Sequence, residues 1–416
     1  MHVVVLGAGV VGVATAYQLA RQGHRVTVID RQPGTALETS FANAAQIAAA
    51  LCGPWPAPGV PSKLWGWLRD PKSPLRFQLQ ADPRQWLWGL RFLAECTHAR
   101  HDLTFRRMLE FGRYSQQALA SVKAETGIKY HQIEAGILKL CGSEATVNDL
   151  PGFESLLRDA GIPAKRLTPA ECIVLEPALA HSSEPLLAGL HLPTDESGDA
   201  YLFTTGLADL CADMGVVFRY GTTITGFDIE NGAIESVETD KGDIDGDAFV
   251  LALGSYSPKL ARQLGLSLPV WPVKGYSATV AVGSSNSAPR ISLYIAEKKV
   301  AMSRLGDRLR IAGMADIAGF DTRLDPARAR QVLDAGMALF PNAGDRDNAE
   351  LWCGLRPLTP DGLPILGRCR IPNLYLNTGH GTYGWTYACG SARVVSDLIA
   401  GRAPEHDLSG LTLNRF

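Results

Sequence analysis

The sequence predicts an α/β fold, with a Rossmann-type dinucleotide-binding domain interleaved with a second, α+β domain. Three observations predict it. Residues 2–6 form a short β-branched run that leads into a glycine turn at residues 7–12, Gly-Ala-Gly-Val-Val-Gly, and a helical pattern then continues to Arg21. A second apolar run, residues 25–29, ends at Asp30. Strand and helix patterns then recur after residue 197 and after residue 352, which indicates a domain assembled from separate segments.

Each glycine of this turn has its own physical task. Gly7 permits the tight turn, Gly9 lets the backbone approach a pyrophosphate, and Gly12 lets the helix pack closely on the strand. The helix that opens at Val10 offers free N–H groups and a partial positive charge to phosphate oxygens. Asp30 follows the second strand at the spacing of a carboxylate that binds ribose hydroxyls. This site predicts a dinucleotide but does not separate FAD from NAD.

A second glycine-to-helix element favours FAD. Residues 249–254 indicate a buried strand that ends at a glycine, and residues 373–377 indicate another strand, followed by a turn at 378–382 and a helix over 384–400. A reduced flavin carries negative charge near N1 and O2 of its ring, which backbone N–H groups and a helix N-terminus stabilise. We expect residues 381–385 to supply those groups. His380 either assists the chemistry or simply forms the turn.

The expected domain boundaries follow from these patterns. Residues 1–55, 197–265 and 352–416 are expected to form the dinucleotide-binding domain. Residues 56–196 and 266–351 are expected to form the substrate domain.

Composition excludes several classes of function. A net charge of -2 creates no field that would concentrate nucleic acid, so a small molecule is the expected partner. The eight cysteines are scattered without any CxxC pair, which indicates neither a metal site nor a disulfide framework and is typical of reduced, mostly buried thiols in the cytoplasm. The sequence shows no leader peptide and no membrane-spanning run of apolar residues.

A tryptophan-rich stretch lies within residues 55–107. It contains five of the eight tryptophans, Trp55, Trp65, Trp67, Trp86 and Trp88, and residues 63–107 hold nine Lys or Arg against four Asp or Glu. Basic residues beside interfacial tryptophans suit an anionic membrane surface, where a quinone is within reach. This reading predicts peripheral contact with the inner face of the cytoplasmic membrane. The alternative is that these tryptophans pack the substrate domain, and a liposome flotation assay separates the two.

Several segments together resemble one protein family. They are Val-Val-Leu-Gly-Ala-Gly-Val-Val-Gly at 4–12, Glu-Thr-Ser-Phe-Ala-Asn-Ala at 38–44, Pro-Val-Lys-Gly-Tyr-Ser at 272–277, Gly-Leu-Arg-Pro at 354–357 with Thr-Pro-Asp-Gly at 359–362, and Asn-Thr-Gly-His-Gly-Thr at 377–382. Over essentially its whole length the chain resembles the D-amino acid oxidase and glycine oxidase superfamily of flavoproteins, and within it the small subunits of D-amino acid dehydrogenases. The resemblance implies FAD in the Rossmann-type domain and an antiparallel sheet over the reacting face of the flavin.

The resemblance also implies a reaction. It is the FAD-dependent oxidative deamination of a small D-amino acid or D-proline analogue, with hydride transfer from the α-carbon to flavin N5 and electrons passed to a quinone or another non-oxygen acceptor. Three alternatives stay open: a glycine- or sarcosine-type oxidase that uses oxygen, a flavin-bearing electron-relay subunit of a hetero-oligomer, and a pyridine-nucleotide dehydrogenase. The sequence fixes neither the amino acid nor the oligomeric state.

The catalytic candidates are few. Arg356 matches the family's carboxylate-binding arginine, since a planar guanidinium grips a carboxylate with two hydrogen bonds. Tyr276 either adds a hydroxyl to the carboxylate or amine of the substrate or belongs to the core. No acid–base residue is required once the substrate amine is neutral, so activity should rise with pH. The residues expected to bind the cofactor are Gly7, Gly9, Val10, Val11, Gly12, Asp30, Arg31, Ser40, Asn43, Ala44, Gly254, Gly379, Gly381, Thr382, Gly384, Trp385 and Thr386, with Arg31 either covering the adenine or lying in solvent.

Two departures from the family fall near the expected site. The dehydrogenases usually continue after Ala44 with Gly-Gln-Ile-Ser-Pro-Gly-Tyr, whereas this chain has Ala-Gln-Ile-Ala-Ala-Ala-Leu at 45–51. The family often has a tyrosine before the Lys-Val-Ala that matches residues 299–301, and here that residue is Lys298. Both departures put the substrate preference in doubt.

Overall fold

The computed structural model describes residues 1–62, 66, 73–283 and 287–416. Strands account for two large sheets and two small ones. In chain order the strands are β1 His2–Leu6, β2 Arg25–Ile29, β3 Gln46–Ile47, β4 Leu75–Phe77, β5 Ile137–Cys141, β6 Lys165–Leu167, β7 Ala188–Leu192, β8 Glu196–Ser197, β9 Val217–Arg219, β10 Ile224–Glu230, β11 Ala233–Thr239, β12 Ile244–Asp245, β13 Ala248–Leu251, β14 Trp271–Ala281, β15 Ser292–Ile295, β16 Val300–Leu305, β17 Arg308–Ile317, β18 Glu350–Leu358, β19 Ile365–Arg368 and β20 Leu374–Thr378.

Helices cover both large sheets. They are α1 Val10–Arg21, α2 Pro83–Glu95, α3 His98–Thr126, α4 Glu144–Asn148, α5 Leu150–Asp159, α6 Pro169–Leu175, α7 Ala200–Asp213, α8 Ser257–Ala261, α9 Pro326–Leu339 and α10 Gly384–Ile399. Short 3₁₀ turns occur at Pro177–His181, Gly254–Tyr256, Arg262–Leu264, Gly381–Tyr383 and Leu413–Arg415.

The six-stranded sheet confirms the predicted Rossmann-type fold. Its order is β19-β20-β13-β1-β2-β9, and every pair except β19–β20 is parallel. The interior of β1, residues 3–6, is buried, as a parallel strand covered on both faces requires. The predicted limits of β1 and β2 match the structure, and α1 connects them in the crossover expected of parallel strands.

The second large sheet is mostly antiparallel, as the resemblance implied. Its order is β18-β14-β17-β16-β15-β5-β7-β6, with β4 beside the end of β17, and only the β15–β5 and β17–β4 pairs are parallel. Helix α9 packs against β14, β16, β17 and β18 and covers one face. The opposite face is turned toward the glycine turns of the Rossmann-type sheet.

One expected domain boundary is wrong. We expected the dinucleotide-binding domain to resume at residue 352, but β18 spans residues 350–358 and pairs with β14 along nine residues. This segment therefore belongs to the substrate sheet, and the chain returns to the Rossmann-type sheet only at β19. The other boundaries stay predictions.

Helix α3 connects the two halves. It begins at the capping residue Thr97, whose hydroxyl accepts a hydrogen bond from the Arg100 backbone, and it ends at Gly127 in the left-handed conformation. Its 29 residues pack on α10, and Ala118, Leu119 and Val122 join the core around α1. The helix thus packs against the Rossmann-type layer.

Two further features bear on the expectations from composition. Six of the eight cysteines are buried, which confirms that most of these thiols lie inside the fold. Within the ranges that the structure describes, no helix is both long enough and apolar enough to cross a membrane.

Candidate active site

A cavity of about 1390 Å³ is lined by residues of both large sheets. One end is formed by the glycine turn after β1 and by the segment after β2. The middle is formed by the start of α10 and the uncovered face of the antiparallel sheet. Every residue expected to bind the cofactor lines this cavity except Gly12 and Gly379, which lie just behind its wall.

The glycine turn has the geometry that its sequence predicted. A Cβ added to Gly12 would lie 1.9 Å from the Gly7 carbonyl oxygen, so helix and strand approach each other too closely for any side chain. Gly7 has a φ of 111°, a conformation that favours glycine. A Cβ on Gly9 would meet nothing nearer than 3.5 Å, so the space beside it is open. The N-cap residue of α1 is Gly9, which has no side chain to cap the helix, and the positive end of α1 faces this space.

The polar residues of the turn hold it in place. Asp30 accepts hydrogen bonds from the Ala8 backbone at 2.7 Å and from the Gln32 backbone at 2.8 Å. Burial raises the pKa of its carboxyl, and these two N–H groups oppose that shift. The Ser40 hydroxyl accepts a hydrogen bond from the Val10 backbone at 3.1 Å. The Asp30 carboxylate keeps lone pairs directed at the cavity, where a ribose hydroxyl can donate to them.

Arg31 is not free in solvent. Its guanidinium stacks over the Tyr256 ring at 3.8 Å and forms an ion pair with Glu38. Both neighbours line the same end of the cavity. Arg31 thus forms part of a flat wall against which an adenine would stack, which favours the first of the two roles considered for it.

The second glycine turn brings the start of α10 to the cavity. Gly379 and Gly381 have φ values of 75° and 55°, and the helix then begins at Gly384. The Thr386 hydroxyl accepts a hydrogen bond from the Ala48 backbone at 3.0 Å, and the Trp385 indole donates to the Gly198 carbonyl. The Trp385 side chain is therefore buried support, while the backbone of the turn faces the cavity.

His380 supports the turn. Its ring nitrogen Nε2 lies 2.8 Å from the Ser391 hydroxyl, and only 2% of the residue is exposed. Burial lowers the pKa of the imidazole to about 3, so it is neutral at physiological pH. Of the two roles considered for this histidine, the structure favours that of a turn former.

Arg356 extends from β18 across the sheet into the cavity. Its Nη1 donates to the Met314 carbonyl at 2.7 Å and its Nη2 approaches the Gly313 carbonyl at 3.4 Å. Within the described residues no carboxylate forms an ion pair with this guanidinium, and Asp316 acts on it only at longer range. Burial lowers the pKa of Arg356 to about 10, so it remains cationic at neutral pH.

The neighbouring strands make room for this guanidinium. A Cβ on Gly275 would lie 2.2 Å from the Arg356 Cζ, so the side chain lies flat over a strand that has glycine at the crossing point. The register between β14 and β17 shifts by one residue here, and Met314 adopts a φ of 55°. This β-bulge turns the Met314 carbonyl toward Nη1 and fixes the orientation of the guanidinium.

Tyr276 is among the residues that line the cavity, but its hydroxyl is bonded elsewhere. It pairs with Cys353 whereas Gly275 pairs with Gly354, so its side chain projects from the face opposite to Arg356. There its hydroxyl donates to Asp316 at 2.8 Å, within a buried cluster that includes Arg328 of α9. The contact of Tyr276 with substrate stays a prediction. The alternative role, that of a core residue, fits the direction of its side chain, because successive residues of a strand face opposite sides of the sheet.

Residues that sequence reasoning missed line the other end of the cavity. Lys139, Tyr294 and Lys299 come from or beside β5, β15 and β16, and Tyr383 precedes α10. The Tyr383 hydroxyl is fixed by the backbone N–H of Gly53 at 3.0 Å. A lysine or tyrosine within a strand carries no motif, so only the pairing register could have placed these residues together.

The departures at 45–51 lie along the cavity wall. Ala45 has a φ of 58°, the left-handed conformation that the family's usual glycine adopts without strain. The backbone N–H groups of Ala50 and Leu51 donate to the two carboxylate oxygens of buried Asp195 at 2.7 and 2.8 Å. Lys298, the second departure, forms an ion pair with Glu184 at 2.9 Å.

These features fit FAD. The closed contact at Gly12, the open space at Gly9 and the positive end of α1 suit a pyrophosphate. The start of α10 supplies a second positive helix end on the same cavity, next to the arginine and the small residues of the antiparallel sheet.

The comparisons with known proteins agree with this geometry. Residues 2–398 match the family model described as FAD dependent oxidoreductase. A D-amino acid dehydrogenase from Agrobacterium fabrum is 47% identical over 416 residues, covering all of both chains. Glycine oxidase from Geobacillus kaustophilus has a similar structure, with a TM-score of 0.76 and 24% identity over 100% of this chain and 98% of that one. The FAD-bound L-α-glycerophosphate oxidase from Mycoplasma pneumoniae shares the fold with a TM-score of 0.72 and 18% identity, over 98% and 97% of the two chains.

Fold, cavity and comparisons agree on the cofactor and the class of enzyme. The protein binds FAD and is an oxidoreductase. The chain belongs to the FAD dependent oxidoreductase family, in the branch that contains the D-amino acid dehydrogenases.

Proposed function

We propose that this enzyme oxidises the carbon–nitrogen bond of a small D-amino acid and passes the electrons to an acceptor other than oxygen. The 47% identity to a D-amino acid dehydrogenase supports the reaction class. The observation that carries the proposal within this chain is Arg356, a cation that faces the cavity without a carboxylate partner among the described residues.

Arg356 binds and orients the substrate. Its hydrogen bonds to the Met314 and Gly313 carbonyls use one N–H of each terminal nitrogen, so further N–H groups remain for a carboxylate. A substrate carboxylate that pairs with this guanidinium is held against the floor formed by Gly275, Gly313 and Gly354. Because those positions have no side chain, the α-carbon can approach the space between the sheet and the start of α10.

Two of the surrounding residues support a mechanism that uses no protein base. His380 is neutral and bonded to Ser391, and Tyr276 lies on the other face of the sheet. The substrate amine must therefore reach the site in its neutral form, so that its nitrogen lone pair assists cleavage of the α-carbon–hydrogen bond. FAD supplies, when bound, the acceptor at flavin N5 for the hydride that leaves the α-carbon. The imino product hydrolyses in water to a keto acid and ammonia, or remains a cyclic imine if the substrate is a proline analogue.

The test is flavin bleaching under anaerobic conditions with matched D- and L-amino acids. We expect one equivalent of D-alanine or D-proline to bleach the bound flavin while the L-enantiomers leave it oxidised. Bleaching by the L-enantiomers alone would reverse the assignment of enantiomer. Peroxide formation in air as fast as dye or quinone reduction would favour the oxidase instead, and loss of turnover in the isolated chain would favour the electron-relay subunit.

Helix α2 is the element that we assign to contact with the membrane and its electron acceptor. Its inner face buries Gln85, Trp88 and Phe92, and Phe92 also lines the cavity. Its outer face leaves Trp86 52% exposed and Leu90 65% exposed. Leu79, Leu87, Leu93 and Leu103, all within residues 79–103, are exposed as well.

An apolar surface of this kind, on a segment whose sequence has an excess of basic residues, suits an anionic lipid bilayer. The cavity reaches the underside of the same helix, so a lipid-dissolved quinone would enter without crossing water. Trp88 is buried, as expected if the tryptophans pack the substrate domain. Trp86 is exposed, as expected if they contact a membrane. Trp65 and Trp67 lie outside the described residues.

A further inference from the structure

A lysine at the far end of the cavity forms no ion pair with any of the residues that the structure describes. Lys139 lies on β5, and its ammonium is 4.7 Å from the centre of the Phe153 ring. Asp149, which also lines the cavity, and Glu297 act on it only at longer range. The Glu297 carboxylate accepts hydrogen bonds from the Gly142 and Ser143 backbones.

Lys139 and Arg356 project from the same face of the sheet. Across β5, β15, β16 and β17, Lys139 stands opposite Tyr294, Tyr294 opposite Ala301, and Ala301 opposite Ala312. The same row continues through Ser277 of β14 to Trp352 of β18. Directly opposite residues point to one face, and residues 352, 354 and 356 alternate along β18 on that face. The row therefore crosses the floor of the cavity with the guanidinium at one end and the ammonium at the other.

The environment of Lys139 favours an anion. Burial lowers its pKa, and the charge of nearby Lys299 adds to that shift. The Tyr294 hydroxyl beside it has no hydrogen-bond partner among the described residues, and burial raises its pKa to about 12, so it stays a donor. Two donors thus converge where an acceptor group would relieve the cost of the buried charge.

The spacing of the strands gives the length of the ligand. The Arg356 guanidinium rests on the carbonyls of β17, and β5 lies three strands away, about 14 Å at the usual strand separation. The lysine side chain extends up to about 6 Å from its strand. The distance between the ammonium and the guanidinium is therefore about 8–14 Å, depending on the direction in which the lysine side chain points. A five-carbon dicarboxylate with a hydrogen bond at each end spans about 11 Å.

We propose that Lys139 and Tyr294 form a subsite for the side-chain carboxylate of the substrate, so that the enzyme prefers D-glutamate to an apolar D-amino acid of equal length. This inference rests on the proposed function, because it takes the α-carboxylate to be held by Arg356. It adds a determinant of specificity at the opposite end of the same cavity.

The first test is binding by the FAD-loaded protein, which needs no turnover. Glutarate and pentanoate have equal length and differ by one carboxylate, and isothermal titration of each measures that difference. We expect glutarate to bind about 10- to 100-fold more tightly, as a charge-assisted hydrogen bond provides, and Lys139→Met to remove the difference. Equal affinities in the unmodified protein would overturn the subsite, whether or not the variant folds.

The second test is kcat/KM for D-glutamate and D-norvaline, by anaerobic reduction of a dye. We expect Lys139→Met to lower the value for D-glutamate about 10- to 100-fold through KM and to leave D-norvaline unchanged. Lys298→Met is the matched control, since it removes a neighbouring lysine that pairs with Glu184 outside the cavity. Equal losses for both substrates would assign Lys139 a structural role. If glutarate is preferred but neither amino acid is oxidised, the proposed function fails while the subsite stands.

Discussion

Gly9 and Gly12 of the cofactor turn should respond in different ways when each is replaced by alanine. In Gly12→Ala the new Cβ would lie 1.9 Å from the Gly7 carbonyl oxygen, and real Cβ contacts are essentially never under 3.0 Å. Helix α1 must therefore move by more than 1 Å from β1. Overpacking of this kind costs about 1–3 kcal/mol, and the displaced turn no longer presents its N–H groups to the pyrophosphate.

Gly9→Ala is the matched comparison. Its Cβ would lie 3.5 Å from the Ser40 hydroxyl, an ordinary contact, and Gly9 has a φ of -74° that alanine adopts freely. The stability of the cofactor-free protein should change by no more than about 1 kcal/mol, which is the range for exchange of an N-cap residue. The methyl group nevertheless occupies the space reserved for the pyrophosphate, so FAD affinity should fall at least about tenfold, equivalent to about 1.4 kcal/mol.

The assay is the melting temperature of each variant at a series of FAD concentrations. Ligand at 100 times its Kd stabilises a protein by about 2.7 kcal/mol, so the curves separate folding from binding. Gly12→Ala should melt lower at every concentration, whereas Gly9→Ala should match the unmodified protein without FAD and fall behind as FAD is added. A Gly12→Ala protein that melts normally and retains its yellow colour would refute the reasoning.

Three further predictions concern the site and the surface. The kcat/KM for a D-amino acid should rise with pH as the substrate amine loses its proton. It should then fall above about pH 10, because burial lowers the pKa of Arg356 to about 10 and the guanidinium no longer binds the carboxylate once it is deprotonated. A flat profile would contradict the need for a neutral amine. Tyr276→Phe should lower the free energy of unfolding, measured with urea, by about 1 kcal/mol, because the hydrogen bond to Asp316 is lost. It should leave kcat/KM unchanged. A large fall in kcat/KM alone would show that Tyr276 contacts the substrate. The double variant Trp86→Ser, Leu90→Ser should reduce flotation with anionic vesicles at least tenfold, since both side chains are exposed. Its dye reduction in solution should stay normal. Unchanged flotation would show that α2 does not bind the membrane.

The local elements of the fold were predictable from the sequence. The limits of β1, β2 and α1 follow from a β-branched run, a glycine turn and a helical period within 30 residues, and no distant partner changes them. The short motif around Arg356 predicted a guanidinium at the substrate site, and Arg356 does line the cavity. The structure adds the physical reason for its position, which is the combination of Gly275 and the bulge at Met314.

Features that depend on pairing register were not predictable. Tyr276 sits one residue from Gly275, and a shift of one residue moves a side chain to the other face of a sheet. The same uncertainty concealed Lys139, which meets the cavity only because β5 pairs with β15. The end of the substrate sheet was misplaced for a related reason, since β18 has an apolar pattern equally suited to either sheet.

The sequence predicted an apolar contact for α2 but not which face of the helix is exposed. Its tryptophans indicated contact with something apolar, but a period of 3.6 residues places Trp86 and Trp88 on different faces of one helix. Only the tertiary contacts decide which face is buried, and Trp88 is fixed inward by the hydrogen bond from its indole to the Leu358 carbonyl at 3.0 Å.

The central claim is that the Arg356 guanidinium holds the substrate carboxylate. The most direct measurement is single-turnover bleaching of bound flavin by a D-amino acid at low concentration, in the unmodified protein and in Arg356→Met. The account predicts a second-order rate constant about 100-fold lower in the variant, with FAD content unchanged, since about two charge-assisted hydrogen bonds are lost. Bleaching at the same rate in both proteins would contradict it.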